Sequence, residues 1–418
     1  MNDQSASPVG SETFALSEQA RAVTDAVSAL YQQHILPNNS LWREQSADGA
    51  EIPAIESELR ARAKEAGLWN LALPRLTEDE PGTRLSNLEF TGVAEILGRL
   101  PWASRVCNSH APDTPNMELL QLFGTEEQKQ EFLNPLLEGD IGSCFSMTEP
   151  EVASSDPGNL ATTIKPDGDD YIISGRKWFS TNGSMANTAF TIVVGITDSQ
   201  ASKSRRQSLV IVPLKSPGVV IERDVAIFGA HHRSGGHTQF LFDNVRVPKR
   251  YLIGEEGAGF AIGQARLGPA RLHHCMRAIG QAEAALEMMC RRALRREAFG
   301  KPLAQLGANY DIIAECRMEI EMARLLCLKA AWYMGKRIIP LFLIADEAAL
   351  PEASKSELGR VRAEAQGIDL RSFLTEDRHL DFTLDEPKAD LLRRGLRASG
   401  AVASVGLDPE AFEIDTQM

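Results

Sequence analysis

The chain has 418 residues, of which 43% are hydrophobic and 24% are charged, and its formal net charge is −13. That length allows two or three domains with ordinary hydrophobic cores. The acidic balance argues against a nucleic-acid-binding protein, and no run approaches the roughly 18 apolar residues that a membrane-spanning helix needs.

Cellular location and cysteine chemistry follow from short patterns. The opening residues, MNDQSASPVGSE, lack the apolar core of a signal peptide, so we expect a cytoplasmic protein. The cysteines show no C-x-x-C spacing and have no histidine pair at metal-ligand spacing beside them. We therefore expect no metal site and reduced, buried thiols. The six cysteines are Cys107, Cys144, Cys275, Cys290, Cys316 and Cys327.

The first third of the chain, residues 1–143, is expected to form a helical domain. Apolar residues recur there at helical spacing, and Pro37, Gly67 and Gly124 end three of the periodic stretches. Thr125 with Gln128 three residues later has the pattern of a capping box. The predicted helices cover residues 16–35, 52–66, 87–97 and 117–123.

From Cys144 the apolar period changes, which predicts a β domain over residues 144–256. Short runs rich in β-forming residues alternate with turn sequences such as PDGDD and SPG. Such closely spaced strands indicate a small antiparallel sheet or barrel. The predicted strands cover residues 162–164, 171–174, 189–195, 208–212, 219–223 and 238–242.

Two long helices are expected next, over residues 258–296 and 309–334. The second carries apolar residues at spacings of three and four, which predicts a packed seam of a helical bundle. The seam residues are Ile313, Cys316, Ile320, Ala323, Cys327, Ala330 and Met334. We expect residues 257–335 to form the first two helices of a bundle that is incomplete in this chain, and residues 336–418 to form an atypical tail of unknown fold, which makes the chain a multi-domain α+β protein.

Four motifs identify a family. FSMTEPEVASSD begins at Phe145, ISGRKWFSTNG ends at Gly183, RLGPARLHHCMRAIG contains Arg271, and REAFGKPL begins at Arg296. Together they resemble the acyl-CoA dehydrogenases, most of all the branch whose dehydrogenase domain is fused to kinase-like domains in animals. The resemblance covers about residues 15–334. It implies a helical domain, a β domain and a long-helix bundle, with bound FAD.

The resemblance also implies a reaction and partners. An acyl-CoA thioester would be oxidised to a trans-2-enoyl-CoA, and the electrons would pass to an electron-transfer flavoprotein. The oligomer would be a homodimer or homotetramer, because members of the family share FAD between subunits. A catalytically inactive remnant of such an enzyme, or a flavin oxidase or monooxygenase with the same fold, remains an alternative.

The site residues that the resemblance implies fall into three groups. One group would hold the flavin ring: Phe145, Met147, Thr148, Trp178 and Ser180. Ser155 would face the pantetheine part of CoA, and Arg271 would lie near the catalytic centre. Arg296 and Phe299 would bind the pyrophosphate and adenine parts of FAD held mainly by a neighbouring subunit, since a guanidinium suits phosphate.

Structural explanations compete with these roles. Trp178 fits a strand core, Thr148 and Ser155 fit turn or capping positions, Arg271 fits a surface ion pair, and the Gly300 turn explains the helix break after Arg296 without a ligand.

The catalytic base is not identifiable from the sequence. Some relatives carry it immediately before the arginine that Arg271 matches, and here that position is Ala270. After Gly335 the sequence departs from the family, and Pro340 blocks a continued helix. The acidic side chains in the tail offer no basis for choosing among them. They include Glu364, Glu376, Asp377 and Asp381.

The clustered histidines predict no metal site. His273 and His274 are adjacent on a helix and therefore point to different sides, so we expect them to be core or surface side chains. His231, His232 and His237 lie in the glycine-rich sequence AHHRSGGH. A substrate-side or subunit-contact loop is the favoured interpretation there.

Overall fold

The computed structural model describes residues 14–46, 51–226, 236–307 and 309–335. Residues Ser17–Ala331 form one compact unit, and the contacts discussed below lie within it. The predicted tail and the two histidines His231 and His232 lie outside the described residues.

Helices fill the N-terminal part of the described chain. The longer ones agree with the predicted helices, and two end-caps explain where helices start. Ser86 and Glu89 form a capping box on one helix, and Thr125 and Gln128 form the predicted box on another. The helices are α1 (Glu18–Leu30), α2 (Asn39–Gln45), α3 (Ala54–Glu65), α4 (Asn87–Gly98), α5 (Ala103–Val106), α6 (Asp113–Phe123), α7 (Glu126–Gln128) and α8 (Asn134–Glu138).

The β domain is a single open sheet. Its strands run in the spatial order β6-β7-β3-β2-β4-β5-β8, and β1 lies beside β4. The sheet prediction is confirmed, but the sheet does not close into a barrel, and β1 pairs with β4 in parallel. The strands are β1 (Gly142–Ser146), β2 (Thr163–Asp167), β3 (Asp170–Thr181), β4 (Thr188–Ile196), β5 (Gln207–Pro213), β6 (Val219–Val225), β7 (His237–Pro248) and β8 (Leu252–Ile253).

A β-bulge interrupts the long strand β3. Lys177 pairs with Phe240 and Ser180 pairs with Thr238, so two residues of β3, Trp178 and Phe179, lie opposite one residue of β7. Phe179 has a φ of +53°, a left-handed conformation that costs energy for an aromatic residue. The bulge therefore ends the regular inside–outside alternation just where the predicted flavin site begins.

Two long helices follow the sheet. They are α9 (Gly259–Arg295) and α10 (Asn309–Gly335), and the hairpin of β9 (Glu297–Ala298) and β10 (Lys301–Pro302) joins them. Pro269 lies inside α9 and has no N–H to give to the carbonyl of Ala265, four residues earlier.

Helix α9 crosses α4 at very short range. A Cβ atom at Gly98 would lie 2.4 Å from the Arg277 Cα, and one at Gly280 would lie 2.0 Å from the Glu95 carbonyl oxygen. Glycine at both positions thus lets the two helix backbones touch.

Ion pairs fasten α10 to α9 and α4. Arg317 contacts both carboxylate oxygens of Glu283 at 2.6 and 2.7 Å, and Arg324 contacts both oxygens of Glu95 at 2.9 Å. Arg324 also contacts Glu283. These arginines lower the pKa of Glu283 to about 2, with the hydrogen bond from Arg317 as the largest cause.

Three sequence-based exclusions can be compared with the described residues. In the described part of the chain, no helix combines the length and the apolar character required to cross a bilayer. The same residues contain no cluster of three potential metal ligands. All six cysteines are free thiols, but the expectation that they are buried holds only for Cys107 and Cys144. Cys275 is exposed and the other three are partly exposed, because they lie on the two long helices, which other elements cover only in part.

Candidate functional site

The two motif segments that predict a flavin site meet in the structure. The Thr148 hydroxyl donates a hydrogen bond of 2.8 Å to the Trp178 carbonyl, and the Trp178 N–H donates one of 3.0 Å to the Thr148 carbonyl. The turn after β1 is thereby joined to the bulge in β3. Residues that are about 30 positions apart in sequence form one edge of the sheet.

A buried ion pair between Lys177 and Glu149, which the sequence analysis missed, lies beneath this junction and holds its backbone in place. Lys177 is fully buried, and its Nζ lies 2.7 Å from a Glu149 carboxylate oxygen and 2.7 Å from the Met147 carbonyl oxygen. The Glu149 carboxylate also accepts the N–H groups of Ala161 and Thr162. Burial alone would raise the pKa of Glu149, but the Lys177 charge and these hydrogen bonds hold it below its ordinary value.

The bulge decides which side chains face outward. Ser180 is fully buried, and its hydroxyl lies 2.9 Å from that of Ser146, which in turn lies 2.8 Å from that of Thr191. Phe179 is 43% exposed, and Thr181 is partly exposed. The Thr181 hydroxyl lies 3.0 Å from Nδ1 of His237 at the start of β7.

The hydroxyl of Ser180 thus points into the core, and the flavin-facing role of Ser180 stays a prediction that this placement does not favour. The extra residue of the bulge brings Phe179 and Thr181 to the open side, and Trp178 lies edge-on to Phe179 with ring centroids 4.8 Å apart. Only the doubled aromatic pair WF, followed by ST, hinted at this shift in the sequence.

The turn after β1 supplies free hydrogen-bond donors. In the described part of the chain, the N–H groups of Met147 and Thr148 donate to no acceptor. Phe145, which lies in β1 two residues before Met147, is partly buried. The Arg266 guanidinium of α9 lies 3.8 Å from the centroid of its ring. Arg266 also donates to Asn116 at 2.8 Å, and burial lowers the pKa of Arg266 to about 9.

These features fit an isoalloxazine ring. Two backbone donors at one turn match the carbonyl oxygens of its pyrimidine end, and an exposed aromatic face offers a stacking surface. The Thr181 hydroxyl is a further donor at the neighbouring turn when Nδ1 of His237 carries the proton and donates to it. The set can hold a flat, oxygen-rich heterocycle along the sheet edge.

The remaining predicted residues lie apart from this edge. Ser155 is exposed in the turn after Ser154, and Arg271 is exposed on α9, where its Nη2 contacts Gln264 at 3.2 Å. Arg296 is also exposed, and Phe299 is 94% exposed with a φ of +50° in the hairpin between the long helices. No described contact links Arg296 or Phe299 to the junction of Thr148 with Trp178.

A cleft lies between α4, the start of α6 and α9. Ala270 forms part of its wall, together with Phe90 and Leu97 of α4 and with His273 of α9. His273 contacts the edge of the Phe90 ring, with centroids 4.8 Å apart, and burial lowers the pKa of His273 to about 3. The position where some relatives carry a base thus faces a cleft, but its alanine side chain moves no proton.

Three domain families match successive parts of the chain. They are the N-terminal domain of acyl-CoA dehydrogenase over residues 17–140, the middle domain over residues 144–245 and the C-terminal domain over residues 257–349. The matched regions include both segments of the junction, the cleft and the long helices.

Curated relatives give the same assignment. FadE2 of Mycobacterium tuberculosis, described as a probable acyl-CoA dehydrogenase, is 47% identical over 325 residues, which cover 76% of this chain and 78% of that protein. Acyl-CoA dehydrogenase family member 11 of Gallus gallus is 45% identical over 77% of this chain, but the match spans only 41% of the longer relative.

Solved structures share the architecture. A structure from Mycobacterium abscessus assigned to the acyl-CoA dehydrogenases has a TM-score of 0.75 and 39% identity, and the match covers 94% of this chain and 96% of the other. Butyryl-CoA dehydrogenase of Megasphaera elsdenii has a TM-score of 0.65 at 22% identity, with 96% and 92% covered, which shows the common fold.

Proposed function

Because the chain belongs to the acyl-CoA dehydrogenase family, we propose that it binds FAD and oxidises an acyl-CoA thioester to a trans-2-enoyl-CoA. The observation that carries this proposal is the junction of Thr148 with Trp178, which presents two free N–H donors beside an exposed aromatic residue. FAD, when bound, would supply the acceptor for the hydride that leaves the β carbon.

Within this proposal, the chain's own residues bind and orient. The N–H groups of Met147 and Thr148 would hold the pyrimidine end of the flavin, Phe179 and Trp178 would pack on the ring, and Thr181 would donate near its reactive edge. We thus propose Phe179 and Thr181 in addition to the family positions, with Ser180 in a supporting role inside the sheet. Phe145, with the Arg266 guanidinium packed on its ring, would line the site on the side where the substrate binds.

Substrate and partner assignments are also proposals. Ser155 would contact the pantetheine arm of CoA, Arg271 would lie beside the reacting carbons, and Arg296 with Phe299 would bind the FAD of a neighbouring subunit in a homodimer or homotetramer. Electrons would leave to an electron-transfer flavoprotein. A cytoplasmic location stays a prediction from the sequence.

The test is the visible spectrum of the purified protein. We expect a yellow protein with a flavin band that bleaches when an acyl-CoA is added without oxygen. A colourless protein that takes up no FAD contradicts the proposal. A yellow protein that does not bleach indicates the inactive remnant, and oxygen consumption during turnover indicates an oxidase or monooxygenase.

A pair of variants tests the assignment of the bulge. Thr181→Ala should lower FAD affinity by roughly tenfold, the value of one good hydrogen bond to a charged or strongly polar group. Ser180→Ala should leave FAD affinity within about twofold and lower thermal stability instead. The opposite ranking would return the flavin-facing role to Ser180.

A further inference from the structure

Two of the six cysteines meet across the two long helices. The thiols of Cys275 on α9 and Cys327 on α10 are joined by a hydrogen bond. The two residues are about 50 positions apart in sequence, so only the packing of α10 against α9 brings them together. Two thiols in contact are the reactants from which a disulfide forms.

The ion pairs between the same helices also place these cysteines opposite each other. Glu283 of α9 binds both Arg317 and Arg324 of α10, so the middle of the segment between the two arginines lies opposite Glu283. Cys275 lies eight residues before Glu283, and Cys327 lies about seven residues after the middle of that segment. Two helices that run in opposite directions and rise equally per residue therefore bring the two cysteines level. The thiol contact and the ion pairs thus agree on one register.

The two thiols differ in their access to solvent. Cys275 is exposed, whereas Cys327 is partly buried, and burial raises the pKa of Cys327, with the neighbouring Cys275 as a smaller cause. An exposed thiol with a second thiol beside it is the arrangement of redox-sensitive cysteines, in which the first thiol reacts and the second resolves. Cys107 and Cys144 differ from this pair, because both are buried and burial raises the pKa of each to about 12. We expect those two thiols to stay reduced.

We propose that Cys275 and Cys327 are a redox-active pair that a peroxide converts to a disulfide, which links α10 covalently to α9. The Cys275 sulfur attacks one peroxide oxygen and the O–O bond breaks, which gives a sulfenic acid, while the other oxygen takes the thiol proton and leaves as water. The Cys327 sulfur then attacks the sulfenic sulfur. The S–S bond forms, the S–O bond breaks, and the departing hydroxyl takes the Cys327 proton and leaves as a second water. The two sulfurs lose two electrons, and one peroxide molecule gains them.

The disulfide would add to the contacts that hold α10 in place. The ion pairs of Arg317 and Arg324 with Glu283 weaken in salt and when the carboxylate is protonated, whereas a disulfide depends on neither. Cys275 also follows Arg271 by four residues on α9, about one turn, so the pair lies beside a residue proposed to be near the reacting carbons. The inference goes beyond the proposed function and does not require bound FAD.

The experiment is peroxide treatment of the folded full-length chain, followed by alkylation of the remaining thiols, trypsin digestion and mass spectrometry. The tryptic peptides of Cys275 and Cys327 are residues 272–277 and 325–329. We expect these two peptides to be joined, with the loss of two hydrogens, and to separate again in dithiothreitol. Alkylation of both thiols after excess peroxide, a link to a different cysteine, or a link between two chains on a non-reducing gel overturns the proposal.

Single substitutions test the role of each thiol. Cys275→Ser and Cys327→Ser should each abolish the link, and Cys290→Ser, at a partly exposed position of α9, should preserve it. In Cys327→Ser, we expect Cys275 to advance to the sulfinic acid, because no second thiol resolves it. In Cys275→Ser, we expect Cys327 to be oxidised about tenfold more slowly, because it is partly buried. Oxidation of Cys327 as fast as that of Cys275 overturns the assignment of the first and second thiol.

Thermal unfolding tests whether the bond fits the folded arrangement of the two helices. The oxidised chain should unfold several degrees above the reduced chain, because the bond closes a loop of about 50 residues in the unfolded state. Dithiothreitol should remove the difference, and peroxide-treated Cys327→Ser should show no such increase. An unchanged or lower midpoint in the linked chain overturns the proposal, since the bond would then form only by distorting the helices.

Discussion

Single residues set the geometry where the turn after β1 meets β3, and Lys177 is one of them. Its ammonium group lies below the turn after β1, bonded to Glu149 and to the Met147 carbonyl. Because both charges are buried, removing one leaves the other without compensation. The pair therefore positions the turn whose N–H groups are proposed to face the cofactor, without itself reaching the open side.

Replacing Lys177 with methionine should cost about 3–5 kcal/mol of stability, the usual result of breaking a buried ion pair from one side. The midpoint of urea unfolding measures this loss, and FAD retention should fall with it. Lys165→Met, at an exposed position of β2, is the matched control and should change little. Adding Glu149→Gln to Lys177→Met should recover part of the stability, and a double variant no better than the single one would contradict the argument.

Elements were predictable from the sequence where local signals decide them. Thr125 with Gln128 marks a helix start in any context, and the two long helices were predicted within one residue because their periodic stretches are long. The face that each residue of β3 presents was not predictable, since it depends on one extra residue opposite Gln239 of β7. Burial of Lys177 was likewise hidden, because its carboxylate partner is 28 positions away.

The crossing of α4 and α9 depends on Gly280. A methyl group there would lie 2.0 Å from the Glu95 carbonyl oxygen, so Gly280→Ala must push the helices apart. We expect a loss of about 1–3 kcal/mol, as for other overpacked sites, measured by thermal or urea unfolding. Gly268→Ala on the same helix meets no atom within 4 Å and should be neutral or gain about 0.5–1 kcal/mol in helix propensity. Equal effects of the two variants would show that the contact is not tight.

The ion pairs of α10 give a pH dependence at the same scale. The pKa of Glu283 is lowered from 4.5 to about 2. The ionised Glu283 therefore contributes its full stabilisation above about pH 5, and this stabilisation is lost as the pH falls from there towards the lowered pKa. The lost contribution amounts to about 3 kcal/mol. The stability difference between the unmodified chain and Glu283→Gln should therefore shrink between pH 5 and pH 3, as followed by urea unfolding at each pH. A constant difference would contradict the assignment.

At the scale of the whole molecule, the described surface of the two long helices and their hairpin is rich in exposed apolar side chains. Several large apolar side chains of the two long helices and their hairpin are exposed in the structure, and contiguous apolar surface commonly marks an interface. They include Met288, Leu294, Phe299, Met318, Met322, Leu325 and Leu326. Phe299 stands in the motif proposed to contact the cofactor of another subunit.

We expect a native mass of two or four times that of the chain, measured by light scattering. Phe299→Ala and Arg296→Ala should each weaken FAD binding by roughly tenfold while the chain stays folded, because both side chains are exposed and support no core. Arg292→Ala, an exposed change in the last turn of α9, should bind FAD normally. A monomer that holds FAD tightly, or variants without effect, would contradict the shared-site proposal.

Pro269 removes one backbone hydrogen bond from helix α9 and so weakens the helix locally. Because proline has no N–H, one hydrogen bond of the α9 backbone is missing directly before Ala270. The part of α9 before Pro269 is therefore coupled less firmly to the part that packs against α4 than in an unbroken helix. Opening there need not disturb the glycine crossing farther along. Amide hydrogen exchange should consequently be faster around this residue than around Gly280, where the two helix backbones touch.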